Sequence, residues 1–181
     1  MTLTGDVATH GPAGVGGIPM VASVDLMTNL ATRPYVELRL ATRLEELRRY
    51  RRAFGVLLAI VDDADRLVAA HPEQQTEQMF QQAARAFAAS LRPFDVVGRW
   101  DRAELIALAT VQQYSDLYAI GERVRTEVEK AHVLAGGEIT GVTLSIGATA
   151  AEGSDTPKSL VERVRLWAQR SAAEGGNRVS F

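Results

Sequence analysis

Hydrophobic and polar positions along this chain follow two periods in alternation, one helical and one extended. From Thr32, a candidate N-cap with Pro34 in the first turn, Val36, Leu40, Leu44 and Leu47 recur at helical spacing and predict an amphipathic helix over residues 33–52. Phe54 to Val61 is a nearly unbroken apolar run of strand length, the pattern of a central strand covered on both faces. Residues 64–70 and 74–91 read as a helix interrupted near His71-Pro72, with Met79, Phe80, Ala83, Ala84, Phe87 and Leu91 on its apolar stripe. Two short apolar segments follow, Val96-Val97 and Leu105 to Leu108, joined by Trp100 to Glu104 where a hairpin connection belongs, without the usual glycine. Ser115 or Asp116 is expected to cap a helix reaching about His132, with Leu117, Ile120, Val124 and Val128 inward. A Gly136-Gly137 turn then leads to a strand from Gly141 to Ala150. Ser154 or Asp155 should cap a helix from Thr156 to Ala173, with Pro157 in its first turn, and a short strand begins at Arg178.

Residues 1–22 interrupt this order. Gly5, Gly11, Gly14, Gly16 and Gly17 with Pro12 and Pro19 leave no sustained periodicity, so the segment reads as a flexible leader to a single domain over 23–181. It lacks the basic start and continuous apolar stretch of a signal peptide. The Gly14-x-Gly16-Gly17 cluster has no Gly-Lys-Ser/Thr after it and no strand before it, so it is not read as a phosphate cradle.

Composition narrows the classes further. A length of 181 residues with 46% hydrophobic content fits one domain and one core. The net charge of -2 gives no electrostatic case for nucleic acid or for a membrane surface. The absence of cysteine excludes disulfides and thiolate metal sites, and a cytoplasmic location is the default. His10, His71 and His132 are scattered and support no histidine metal site. Arg48, Arg49, Arg51 and Arg52 read as a solvated helix end beside Glu45 and Glu46. Asp62, Asp63 and Asp65 follow a strand, a placement that would ordinarily suggest a divalent cation, since hard cations take several oxygen ligands, but no metal site is assigned to them.

One turn carries more specific chemistry. Arg92-Pro93-Phe94-Asp95 has proline at the second turn position, which brings a guanidinium and a carboxylate together.

Three further stretches carry a resemblance. Asp25-Leu26-Met27-Thr28-Asn29-Leu30, Val142-Thr143-Leu144-Ser145-Ile146-Gly147 and Glu174-Gly175-Gly176-Asn177-Arg178-Val179 stand in the order and spacing of an Asp-x-Leu-Thr-Gly-Leu opening, a Val-Thr-x-Ser-Ile-Gly strand and a Gly-x-Asn-x-Val ending. They resemble the GGDEF family, the diguanylate cyclase domains that join two GTP molecules into cyclic di-GMP, from about Val24 to Phe181. The resemblance implies an α/β fold: a central mixed sheet on a βαββαβ core, surrounded by helices. The signature hairpin reads Asp101-Arg102-Ala103-Glu104-Leu105, so the chain resembles a degenerate member. By the same resemblance the metal positions fall on Ile60 and Ala103, the guanine-reading positions on Val68 and Glu77, the paired glycines on Asp101 and Arg102, and a phosphate-holding lysine on Ala172. Glu104 alone survives, and is read as a strand carboxylate facing solvent. Asp62 is assigned to capping the next helix. No catalytic residue, no Mg²⁺ and no other cofactor is expected.

Many members of the family carry a second, inhibitory site in which an Arg-x-x-Asp just before the signature, with an arginine on the following helix, binds the product. Arg92, Asp95 and Arg123 match it. Chance alone gives about one Arg-x-x-Asp in a chain of this composition, so the location of the motif carries the argument. The plain alternative is a surface ion pair contributing ~0 to 1 kcal/mol. The expected function is a catalytically inactive cyclic di-GMP receptor that regulates a partner protein, with the two-guanine ligand promoting a homodimer. A ligand-free interaction or dimerisation module is the second reading, and an active cyclase the third.

Overall fold

The apolar run Phe54–Val61 forms strand β1, and its lack of polar alternation places it at the centre of a five-stranded sheet with helices on both faces. Val56 and Leu58 pack toward α1 (Arg33–Tyr50) and α5 (Pro157–Ala173), against Val36, Leu40, Leu44, Leu160 and Val164. Leu57, Ala59 and Val61 point the other way, toward α3 (Glu73–Ala89) and α4 (Tyr114–Lys130), where Met79, Phe87, Leu117 and Val124 close the second half of the core. The computed structural model describes residues 23–181; the leader expected over 1–22 lies outside the described residues.

Strands β2 (Val96–Asp101), β3 (Glu104–Thr110), β6 (Leu144–Ala150) and β7 (Arg178–Ser180) complete the sheet in the order β2-β3-β1-β6-β7. β1 runs antiparallel to both β3 and β6, and β7 runs parallel to β6 across the α5 crossover, so the sheet is mixed. This is the α/β arrangement on a βαββαβ core that the resemblance implied. Gly147 lets α5 sit close to β6, because a Cβ there would collide with the Val164 carbonyl and the Ala168 amide.

Several local expectations need correction. The Gly136-Gly137 turn, with φ of +63° and +89°, closes a separate two-stranded hairpin of β4 (His132–Ala135) and β5 (Glu138–Gly141), and β6 starts only at Leu144. α1 stops at Tyr50 because Arg51 adopts the left-handed conformation at φ 56° and its N–H donates to the Leu47 carbonyl. Arg48 is not simply solvated: Nε donates to the Gly153 carbonyl at 3.0 Å and Nη2 to the Asp155 carbonyl at 2.6 Å. The N-cap of α4 is Gln113, and Asp116 closes a capping box from inside the helix by accepting from the Gln112 and Gln113 amides. α5 is capped by Thr156, whose Oγ1 accepts from the Ser159 amide at 3.1 Å. Asp155, freed from capping, pairs through both oxygens with Arg163 at 2.7 and 2.8 Å.

The opening turn is tied to the sheet edge. Asp25 Oδ1 accepts from the Thr28 amide and hydroxyl at 2.8 and 2.7 Å, and Ala31 bonds on either side of Gly98, to the Val97 carbonyl and the Arg99 amide.

Candidate functional site

The C-terminal end of β1 opens into a cleft of about 670 Å³, lined in part by Ile60, Asp62, Thr143, Ala172 and Gly176. Ile60 is half-buried, packs toward the α1 and α5 layer, and stands opposite Glu104 on one neighbouring strand and Ser145 on the other. Ala103 is also half-buried, and its carbonyl accepts from the Val61 amide at 2.9 Å, which fastens the β2–β3 turn to β1. Neither side chain carries an oxygen that could bind a cation. Val68, on α2 (Ala64–Ala70), packs against the core, while Glu77 is half-buried on α3. Ala172 is exposed at the cleft wall.

Asp62 does not cap α2; Asp63 occupies that position. Its carboxylate instead accepts from Thr143 Oγ1 at 2.6 Å, Ser145 Oγ at 2.5 Å and the Asn177 amide at 2.8 Å. Three elements distant in sequence are thereby joined at one carboxylate. The two hydroxyl donors belong to the stretch 142–147, but no local signal links them to Asp62.

Glu104 also departs from its expected place in solvent. Arg165, on α5, donates to its Oε2 at 2.5 Å, and the Glu104 side chain is only 18% exposed. Arg165 was not singled out by sequence, and the partners lie 61 residues apart. Beside them, Arg99 holds the hairpin closed: Nε donates to the Asp101 carbonyl at 3.3 Å and Nη2 to the Arg102 carbonyl at 3.2 Å. Nη1 lies 3.5 Å from Asp25 Oδ2. Burial opposes ionisation of Asp25, but hydrogen bonds from Thr28 and the Arg99 charge outweigh it and hold the carboxyl below its ordinary value. Asp101 and Arg102 remain exposed at the hairpin tip.

The Arg92–Asp95 turn forms as predicted, with the Asp95 amide donating to the Arg92 carbonyl at 3.0 Å. The expected meeting of guanidinium and carboxylate does not occur. Asp95 instead accepts from two backbone amides, those of Arg92 at 3.0 Å and Thr110 at 3.2 Å, and so fixes the turn against the end of β3. The Arg92 guanidinium lies 6.0 Å from the centre of the Phe94 ring. Arg123, exposed on α4, donates through Nε to the Ser90 carbonyl at 2.9 Å, just past the C-terminus of α3. Arg92 and Arg123 together line two adjoining clefts. The larger, about 670 Å³, also includes Ser90, Glu127 and Lys130; the smaller, about 400 Å³, includes Phe94, Gln112 and Asp116. Asp116 sits below its usual carboxylate range because it accepts the Gln112 and Gln113 amides, with a smaller contribution from the Arg92 charge. Among the described residues, no helix is long and apolar enough to cross a membrane.

Comparison with known proteins places these features in a family. A family model described as "Diguanylate cyclase, GGDEF domain" matches residues 22–178. Diguanylate cyclase A of Treponema denticola is 23% identical over 165 residues, covering 89% of this chain and 44% of that protein, so the chain spans less than half of this curated relative. Among solved structures, diguanylate cyclase SiaD of Pseudomonas aeruginosa, in complex with its activator SiaC, superposes with a TM-score of 0.84 at 25% identity, over 88% of this chain and 62% of that one. The GGDEF domain of DgcB from Caulobacter crescentus, in complex with c-di-GMP, gives 0.83 at 20% identity over 93% and 98%. The FimX GGDEF domain of P. aeruginosa gives 0.82 at 19% over 88% and 99%. The family match extends over most of the sequence and the solved structures share the fold: this chain belongs to the GGDEF family of diguanylate cyclase domains.

Proposed function

We propose that this domain is a catalytically inactive receptor for cyclic di-GMP, which it binds at Arg92, Asp95 and Arg123 to regulate a partner protein in the cytoplasm. The observation that carries the reading is that Arg92 and Arg123, supplied by a turn and a helix far apart in sequence, line the same pair of clefts. Arg123 commits only Nε to the protein, which leaves its Nη groups for a ligand. A bidentate arginine contact to guanine O6 and N7 is the natural use of such a fork. Asp95 keeps lone pairs beyond the two amides it accepts, so its carboxylate remains available to guanine N–H donors. A ligand with two guanines can bridge two copies of the domain, so binding promotes a homodimer. The DgcB domain, similar in fold, was solved in complex with c-di-GMP, and SiaD in complex with its activator.

The inactive half of the proposal rests on the first cleft. Cyclisation requires a 3′-hydroxyl to attack an α-phosphate, with developing charge neutralised by cations held on carboxylates. Ile60 and Ala103 supply no oxygen, Glu104 is engaged by Arg165, and Asp101 and Arg102 place side chains where paired glycines would admit phosphate. No Mg²⁺ or other cofactor is assigned. The second reading, a ligand-free interaction or dimerisation module, draws on the engagement of Asp95 by backbone amides. A thermal-shift assay separates the two. A rise in melting temperature with excess cyclic di-GMP, reduced in Arg92→Ala, supports the receptor; no shift for the wild type supports the module.

A further inference from the structure

Phe94 is an exposed aromatic side chain in the Arg92–Asp95 turn, with 60% of its surface in solvent. Its backbone is held on both sides. Asp95 ties the turn to the Arg92 and Thr110 amides, and Arg43 of α1 donates to the Phe94 carbonyl at 3.3 Å and to Thr110 Oγ1 at 2.9 Å. The ring forms part of the wall of two clefts: the 400 Å³ cleft with Arg92 and Arg123, and another of about 500 Å³ lined by Arg39, Arg43 and Arg52 together with Glu46. An exposed aromatic face on a held turn, with arginines on either side, suits a planar base that carries phosphate.

We infer that Phe94 is the stacking platform for a guanine of the bound ligand, and this rests on the receptor reading of the same site. Stacking is indifferent to which base is presented, because every base has a π face, whereas the edge contacts of Arg92 and Asp95 discriminate. Phe94 therefore sets affinity and Arg92 sets the choice of guanine. The arginines beyond the ring receive the ligand's phosphates, and holding the turn in place before binding reduces the ordering that binding would otherwise require.

The test is a titration of the full chain and its variants with cyclic di-GMP and cyclic di-AMP. Phe94→Leu keeps apolar volume and removes the π face; it should weaken cyclic di-GMP binding roughly 5-fold to 150-fold while leaving the preference over cyclic di-AMP unchanged. Phe94→Trp should retain affinity, and its added indole fluorescence should be quenched on titration. Arg92→Ala should erode the preference itself. Because the ring is mostly exposed, the melting temperature of Phe94→Leu should stay near wild type, which separates lost stacking from lost folding. Unchanged cyclic di-GMP affinity in Phe94→Leu, with Arg92→Ala weakened, would overturn the stacking role and leave the receptor reading standing. Absence of binding by the wild type would overturn both.

Discussion

Three aspartates show how a carboxylate's work depends on what its neighbours leave unsatisfied. Asp95 accepts two backbone amides in a tight turn, so Asp95→Ala removes both bonds and should cost about 1 to 2 kcal/mol in a urea denaturation, in addition to weakening ligand binding. An unchanged midpoint would mean that the turn holds without its carboxylate. Asp155 is buried, which by itself raises its pKa, but the hydrogen bonds and charge of Arg163 with the Glu152 amide outweigh burial and lower it from 3.8. A folded pKa below the unfolded one means that the stabilisation is fully present above the unfolded value and is lost as pH falls through the folded value. Arg163→Met should therefore cost about 2 kcal/mol near neutral pH, and the gap from wild type should narrow in melts taken well below pH 4, leaving the part due to the bonds from Arg163 to Thr149 Oγ1 and the Ala150 carbonyl. A gap independent of pH would contradict this. Asp62 was legible only as a carboxylate after a strand; its partners Thr143, Ser145 and Asn177 lie 81 to 115 residues away, and local capping rules could not supply them. Glu104 and Arg165 repeat the lesson.

Elements were easier to read where burial was strong. β1 is legible because eight consecutive residues leave no polar face for solvent, and α3 because its stripe follows the helical period. The β4–β5 hairpin was missed because its strands have four residues each and expose Leu134 and Ile139, so no apolar alternation marks them. The adjacent glycines, with Val133 before them and Ile139-Thr140 after them, were the available signal. Cap assignments for α4 and α5 slipped by a few residues because Asp116 and Asp155 are both acceptors near a helix start, and tertiary or capping-box geometry decides between neighbours. Thr156→Ala should accordingly destabilise the fold by about 1 kcal/mol, measured by thermal or chemical melts, through loss of the bond to the Ser159 amide. If Thr156→Ala melts like wild type, the cap assignment for α5 is wrong.

At the scale of the whole molecule, the cleft at the end of β1 and the adjoining pair lined by Arg92 and Arg123 share one scaffold, and the proposed function assigns them opposite fates. At the end of β1, Ile60 and Ala103 carry no side-chain oxygen, Ala172 lines the cleft where the family resemblance places a phosphate contact, and Val68, where it places a base contact, packs against the core. Restoring only the first set, with Ile60→Asp, Asp101→Gly, Arg102→Gly and Ala103→Asp together, should leave GTP turnover with Mg²⁺ far below that of an active cyclase. Robust product from that variant would show that Val68 and Ala172 matter little. Arg92 and Arg123 line the adjoining pair, and the central claim is that they hold cyclic di-GMP. Isothermal titration calorimetry with purified protein tests it most directly. The account predicts saturable heat for the wild type, weakened roughly 5-fold to 150-fold by Arg92→Ala and nearly unaffected by Arg102→Ala at the hairpin; a wild-type protein that gives no heat with excess cyclic di-GMP would contradict it.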